Sequence, residues 1–300
     1  PEHLDYHQDM ESYFASKYHL FKELLPRDKG RAVINVDDDY GQRLAAMLPG
    51  ALTCGRSDHS DIHPESVEIS LKGIRASVAT PLGTVAINSP LLGDYNMENL
   101  LCAIGAAVAL KLSPEVIAAG LATAKGVPGR LEQVDNDRGA VILVDYAHTG
   151  DALRRVIEAM QQLSPSRILT VFGCGGDRDR SKRPIMAEVA ARGSDIAIAT
   201  SDNPRTENPR QILDDVRVGL ARVHKQEWSR ADAVAGVGRG YVVIEDRREA
   251  LEFTVSLLQP GDLLLVAGKG HEDYQILASG RLHFDDREEL RRALQRGGMH

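Results

Sequence analysis

The apolar positions change rhythm along the chain, and the changes mark its organisation. In residues 9–25, Tyr13, Phe14, Tyr18, Leu20, Phe21, Leu24 and Leu25 fall near the helical period and predict a helix. An apolar run at 32–36 predicts a strand, followed by an acidic turn at 37–39 and a helix at 40–47, and 52–54 reads as the next strand. Between 66 and 87 the period becomes two. Val67, Ile69 and Leu71 alternate with polar residues, as do Ile74, Ala76 and Val78, with turns at Lys72-Gly73 and Pro81-Leu82-Gly83. That pattern predicts a β-meander. Residues 96–112 and 114–124 predict two helices, the first rich in Ala and Leu and so buried, the second with Pro114 in its first turn.

After Gly126-Val-Pro-Gly-Arg130 the chain alternates regularly. Strands are predicted at 141–145, 168–172, 196–200, 242–244 and 263–267, and helices at 151–162, 181–192, 209–223, 247–258 and 286–295. Five strands alternating with helices imply an α/β fold with a mostly parallel sheet and right-handed crossovers. The Gly/Pro-bearing stretch marks a domain boundary, dividing 1–129 from 130–300. Residues 225–240, carrying Gly236, Gly238 and Gly240, fit the alternation least and read as a mobile surface insertion.

Composition narrows the class. With 43% hydrophobic and 26% charged residues, the chain reads as a soluble globular protein. A formal net charge of −7 argues against a general nucleic-acid surface. No apolar run approaches the roughly 18 residues of a membrane helix, and no secretory signal opens the sequence. The three cysteines, Cys54, Cys102 and Cys174, show no paired spacing and read as reduced thiols of a cytoplasmic protein. No nucleic acid, no membrane and a monomeric state are expected. Residues 1–7 are already dense in chemistry-bearing side chains, so the chain is expected to be a fragment with its N-terminal portion missing.

The candidate chemistry sits where strands end. Ser201 to Glu207 reads Ser-Asp-Asn-Pro-Arg-Thr-Glu, directly after a buried strand and before a helix. In an open α/β sheet that edge is where ligands bind. A capped turn with a local ion pair is one reading of Asp202 and Arg205. The other is a site for a zwitterion, with Arg205 gripping a carboxylate and Asp202 facing an ammonium. Three more strand-end loops carry charge: Asp145-Tyr-Ala-His148, Gly173-Cys-Gly-Gly-Asp-Arg-Asp179 and Gly268-Lys-Gly-His-Glu-Asp273. Each alone reads as helix–sheet packing, but four on one edge make a cleft. Gly173 and Gly175 start a dinucleotide fingerprint, yet Arg178 stands where its third glycine belongs, and no phosphate loop occurs. His3, Asp5 and His7 read either as helix-entry capping or as a cation or phosphate site. Lys17, amid apolar neighbours, reads on its own as a snorkelling lysine.

Taken together, these segments closely resemble the Mur ligase family. The match runs through His3-Leu-Asp-Tyr-His7 with Lys17, Gly93-Asp-Tyr-Asn96 through Asn99, Gly129-Arg130, Asp145 to His148, Gly173 to Asp179, Asp202 to Arg205, and Gly268 to Glu272, in family order. The resemblance implies the later part of a central ATP-binding domain, lacking the N-terminal domain and phosphate loop, followed by a Rossmann-like C-terminal domain. A Gly-Lys-Thr phosphate loop is expected roughly a hundred residues upstream. The implied activity is ATP-dependent ligation in peptidoglycan precursor synthesis. The γ-carboxylate of UDP-MurNAc-L-Ala-D-Glu is phosphorylated, and the amine of meso-diaminopimelate attacks the acyl phosphate, with Mg²⁺ as partner of ATP. The fragment alone is not expected to turn over.

Residue roles follow from the resemblance. Lys17 matches a lysine that becomes carbamoylated and so can hold Mg²⁺, and His3 a metal-contacting histidine. Asn96 and Asn99 match contacts to adenine, and Arg130, Asp145 and His148 contacts to ATP. Arg178, Asp202, Asn203, Pro204, Arg205, Gly268 and Glu272 match the diaminopimelate pocket. Two alternatives remain open: a ligase of the same superfamily adding lysine or glutamate, such as a folylpolyglutamate synthetase, and a nucleotide-binding dehydrogenase domain.

Overall fold

The computed structural model describes residues 9–25, 31–70, 73–124, 126–224, 226–235 and 238–296. They fall into two compact units, Pro1–Lys125 and Gly126–His300. Among the described residues no helix is long and apolar enough to cross a membrane.

In the first unit, α1 (Met10–His19) starts at Asp9, whose carboxylate accepts from the Ser12 amide, and runs on into a single π-helical turn at Leu20–Leu24. β1 (Val33–Asn35) pairs in parallel with β2 (Leu52–Cys54) across α2 (Asp39–Met47). β3 (His63–Ser70), β4 (Gly73–Ala79) and β5 (Val85–Ser89) form the antiparallel meander that the alternation predicts. α3 (Asp94–Ala109) and α4 (Pro114–Ala122) complete the unit. Its core joins Leu52 and Ile62 to Ile74 and Val78 of the meander and to Met97, Leu101 and Ile104 of α3.

The second unit is the alternating one. Its elements are β6 (Glu132–Gln133), β7 (Val141–Asp145), α5 (Gly150–Gln161), β8 (Ile168–Cys174), α6 (Lys182–Gly193), β9 (Ile196–Ser201), α7 (Pro209–Leu220), α8 (Arg230–Ala235), β10 (Gly240–Val243), α9 (Arg247–Ser256), β11 (Leu263–Ala267), β12 (Tyr274–Leu277), β13 (Gly280–His283) and α10 (Asp286–Arg296). The six-stranded sheet runs β10-β9-β8-β11-β7-β6. β7 to β11 are parallel, as expected of mainly apolar, buried strands connected by helices. Five of the described helices lie between or after these strands with apolar stripes, such as Leu153, Val156, Ile157 and Met160 on α5.

Three features depart from the sequence expectation. The edge strand β6 is antiparallel to β7 and only two residues long, too short to show a period. β12 and β13 form a hairpin whose residues are half-exposed or exposed, so no apolar alternation announces them. The third departure concerns 225–240, expected as a mobile insertion. Most of its described residues are exposed, as at a surface, but Trp228, Ala233 and Gly240 anchor the segment. Trp228 donates its amide to the Tyr241 carbonyl at 2.8 Å, and Ala233 of α8 is buried in the main core with Trp228 against it. Gly240 serves packing: a Cβ there would stand 2.2 Å from the Trp228 ring.

Candidate functional site

Strand order decides where the second unit can bind a ligand. The chain steps from β8 to β9 to β10 in one direction, then returns to insert β11 between β8 and β7. The loops leaving β8 and β11 therefore diverge, and a crevice opens beyond their carboxyl ends. Around it lie 175–181 after β8, 202–208 after β9 and 268–273 after β11.

The loop after β9 is the most constrained. Asp202, Asn203 and Pro204 are buried, and Arg205 is half-buried with its backbone left-handed at φ 53. A non-glycine residue in that region is held by its surroundings. Here the Arg205 amide donates to the Ile276 carbonyl at 3.0 Å, and its Nη1 donates to the Gly176 carbonyl at 2.8 Å. The β12–β13 hairpin braces the same loop. Gln275 Nε2 donates to the Asp202 carbonyl at 2.7 Å, and the Ile276 amide donates to Asn203 Oδ1 at 2.9 Å. Asn203 Nδ2 in turn donates to Glu272 Oε2 at 3.0 Å.

Between the two carboxylates lies a side chain that sequence reasoning passed over. Lys269 is fully buried, with Nζ 3.3 Å from Asp202 Oδ1 and 3.6 Å from Glu272 Oε2. Gly268 holds φ at 114, and a Cβ there would meet nothing nearer than 3.9 Å, so its lack of a side chain serves the turn. Arg178 is exposed, its Nη1 donating to the Asp177 carbonyl at 3.3 Å. The structure thus brings Asp202, Asn203, Pro204, Arg205, Gly268 and Glu272 together on two adjoining loops, with Arg178 on the neighbouring one.

Two buried arginines set the frame. Arg183 of α6 ties the β8 loop to α7, donating to the Gly175 carbonyl, to Glu207 Oε1 at 2.7 Å and to Asp215 Oδ2 at 2.9 Å. Hydrogen bonds from Arg183 hold the Glu207 carboxyl below the usual range, with the Asp177 amide adding to the effect. Arg247 of α9 is fully buried and paired through two 2.7 Å hydrogen bonds with Asp286 of α10, and it also donates to the Ala267 carbonyl beside the pocket.

The residues expected to contact a nucleotide are divided between the two units. Asp145, at the end of β7, is buried. Burial pushes its carboxyl up, against hydrogen bonds from the Leu131 and Ala147 amides at 2.8 Å each, so it reads as an organiser of the 129–131 turn. Arg130 is exposed with its guanidinium 5.1 Å from the Tyr146 ring centre, and exposed His148 lies 4.6 Å from the same ring. Asn96 and Asn99 share the first turns of α3 in the first unit, where Asn99 donates to Asn96 Oδ1 at 3.1 Å. Lys17 is exposed, 5.3 Å from the Tyr13 ring centre, and lines a cavity of about 320 Å³ with Phe14, Asn35 and Asp38. His3 lies outside the described residues. Among the described residues no three metal-ligating side chains cluster. Among the described residues Asp38 is the single carboxylate lining that cavity, so unmodified Lys17 and its described neighbours do not by themselves fit a divalent cation.

Comparison with known proteins bears on what this arrangement is. The family model described as Mur ligase middle domain matches residues 1–107, and that described as Mur ligase, glutamate ligase domain matches residues 129–270. The chain belongs to the Mur ligase family. Curated relatives of this Mur ligase chain include UDP-N-acetylmuramoyl-L-alanyl-D-glutamate--2,6-diaminopimelate ligases from Geobacter metallireducens and Gloeobacter violaceus. The first is 50% identical over 98% of this chain and 59% of its own length, and the second 47% identical over 98% and 57%. The Mur ligase chain therefore spans under two thirds of the length of the relatives it matches. A solved structure of a ligase of that same name is 35% identical, with a TM-score of 0.69 over 97% of this chain and 58% of its own. Folylpolyglutamate synthase from Thermotoga maritima, at 18% identity and a TM-score of 0.58 over 79% of this chain and 51% of its own, shares the fold.

Lys269, Arg183 and Arg247 are what sequence reasoning missed in these Mur ligase domains. Lys269 gave one signal: a lysine between two glycines, directly after a strand buried along its whole length, has little room to reach solvent. Arg183 and Arg247 gave none, since an arginine in the first turn of an amphipathic helix is ordinarily exposed.

Proposed function

We propose that this chain is the amino-acid-binding part of an ATP-dependent, ADP-forming ligase that adds meso-diaminopimelate to UDP-MurNAc-L-Ala-D-Glu in peptidoglycan precursor synthesis. The observation that carries this reading is a half-buried arginine, Arg205, on the same loop as Asp202, whose carboxylate lies with that of Glu272 beside the buried Lys269. That set complements a free amino-acid head, carboxylate to the fork and ammonium to the carboxylates.

The chemistry gives the pocket a second task. Both amines of diaminopimelate are protonated in water, yet only a neutral amine attacks an acyl phosphate. Asp202 and Glu272 would favour the charged form of the amine they touch. The amine at the far end is then the one left to lose its proton and react. Gly268 allows the ligand close to the backbone, and Arg178 stands ready to meet charge at the pocket's outer side. Asn96 and Asn99 for adenine, and Arg130, Asp145 and His148 for ATP, remain the residues assigned to the nucleotide. Lys17, once carbamoylated, and His3 are assigned to Mg²⁺, which would neutralise phosphate charge. Lysine lacks the second carboxylate and would leave Arg205 unpaired, at a cost of about 1–3 kcal/mol.

Calorimetric titration of the chain with meso-diaminopimelate and with L-lysine tests the reading. Binding of the first and weaker binding of the second are expected. Equal affinity for the two would overturn the substrate assignment, and binding of NAD alone would overturn the ligase reading.

A further inference from the structure

We propose that Lys269 is a built-in counter-ion that sets the charge of the Asp202–Glu272 pocket at minus one, so that a single ammonium head completes it. The inference rests on the amino-acid reading of this pocket and assigns a positioning and specificity role to a residue outside the expected ligand set.

A fully buried ammonium is costly unless paired and hydrogen-bonded. Lys269 is met by more acceptors than it can serve. Nζ donates to the Tyr274 carbonyl at 2.6 Å and to Asn203 Oδ1 at 3.2 Å. One N–H remains, with Asp202 Oδ1 at 3.3 Å and Glu272 Oε2 at 3.6 Å. Asp202 Oδ1 is buried and, despite this ion pair, accepts no hydrogen bond among the described residues. A buried carboxylate oxygen in need of a donor, in a ligand crevice, points to an N–H that arrives with the ligand.

The surrounding groups fix the sum. Arg247, from α9, is matched by Asp286 from α10 through two hydrogen bonds. Burial, followed by Glu272, pushes the Tyr146 phenol up, and burial pushes the Cys174 thiol up to about 12, so both are neutral at pH 7. Tyr274 offers its carbonyl to Nζ and its ring at 5.8 Å. Arg205 is turned onto the carbonyls of Gly176 and Asn203 and belongs to the carboxylate end of the ligand. Two carboxylates less one ammonium leave one negative charge. Without Lys269 the pair would either attract two cations or keep a proton, because like charges sharing a buried site do not both ionise freely.

The test is calorimetry of meso-diaminopimelate binding to the whole chain between pH 6 and 8, in buffers of different ionisation enthalpy, so that protons released are counted. Lys269→Met is expected to weaken binding about tenfold at pH 6 and less at pH 8, with up to one more proton released per ligand than in the parent. The double variant Lys269→Met with Glu272→Gln, which leaves one carboxylate and no uncompensated pair, is expected to return to the parent's proton count. It carries the test should Lys269→Met not fold, and extra proton release by it would overturn the proposal. Lys269→Met that melts as a folded protein but binds with the parent's affinity and proton count overturns the proposal alone. Failure of the parent to bind overturns the pocket reading and the proposal with it.

Discussion

Arg205 is held with a backbone that glycine would adopt more easily. The structure tolerates that conformation at the one position of the loop whose side chain the ligand would need most. Arg205→Gly is therefore expected to be about 1 kcal/mol more stable than Arg205→Ala in urea unfolding. In a full-length protein carrying this chain, both should lose the proposed preference for diaminopimelate over lysine. A parent-like ratio of kcat/KM values for either variant would disprove the assignment of Arg205. At the same scale, Cys54 and Cys102 lie with their sulfurs 3.5 Å apart, within hydrogen-bond contact. The hydrogen bond from Cys54 lowers Cys102, the more exposed of the two, to about 7 and raises Cys54. Alkylation should then modify Cys102 first, with a rate rising through pH 7, whereas a midpoint near 9 would refute the pairing. Sequence exposed Asp202 and Arg205 because charge beside a buried strand is conspicuous. It hid the link between the cysteines, because 48 residues separate them and only the packing of α3 on β2 brings them together.

Elements were legible in proportion to how much apolar surface they bury. The five parallel strands are buried and mainly apolar, and their helices carry apolar stripes, so both were readable. The β12–β13 hairpin is not, since it is recruited through hydrogen bonds to the Asp202 loop. The turn before β6 shows a similar dependence on partners far away in sequence. Gly129 has φ 70, and a Cβ there would stand 2.0 Å from the His271 amide nitrogen and 2.2 Å from the Gly270 carbonyl carbon. Gly129→Ala must displace the loop that carries Glu272, and a loss of about 2–4 kcal/mol in urea is expected, together with weaker ligand binding. The junction of α9 and α10 depends instead on one buried ion pair, Arg247 with Asp286. Asp286→Ala, which strands the guanidinium, should cost about 3–5 kcal/mol, and Arg247→Met with Asp286→Leu should cost less than that single change. Equal losses would show that packing, not the uncompensated charge, dominates.

At the scale of the whole molecule, the two units each have a core of their own. Residues 126–300 expressed alone should fold cooperatively, as a single denaturant transition in circular dichroism would show, while a molten profile would refute their independence. Acid stability follows from the arginine-bound carboxylates. Hydrogen bonds from Arg183 depress Glu207, and hydrogen bonds from Arg180, then Arg183 against burial, depress Asp215. Depressed acids contribute stability that is present above their ordinary range near pH 4 and disappears as pH falls through the lowered values. The urea midpoint should fall between about pH 4 and 2, and Arg183→Met should flatten that limb.

The hairpin that braces the Asp202 loop is gripped mainly by its main chain. The Tyr274 carbonyl and the Ile276 amide and carbonyl take three of its four described bonds to Lys269, Asn203, Arg205 and Asp202, and Gln275 alone contributes a side chain. Recognition of that kind is blind to most of the side chains it holds. A saturation library across Tyr274–His283 should therefore tolerate wide variation at the outward positions of β13, while Asn203 on the receiving side tolerates almost none. The hairpin can drift in sequence without drifting in shape, which leaves its outer surface open to take on new contacts while the inner one keeps its hold on the Asp202 loop.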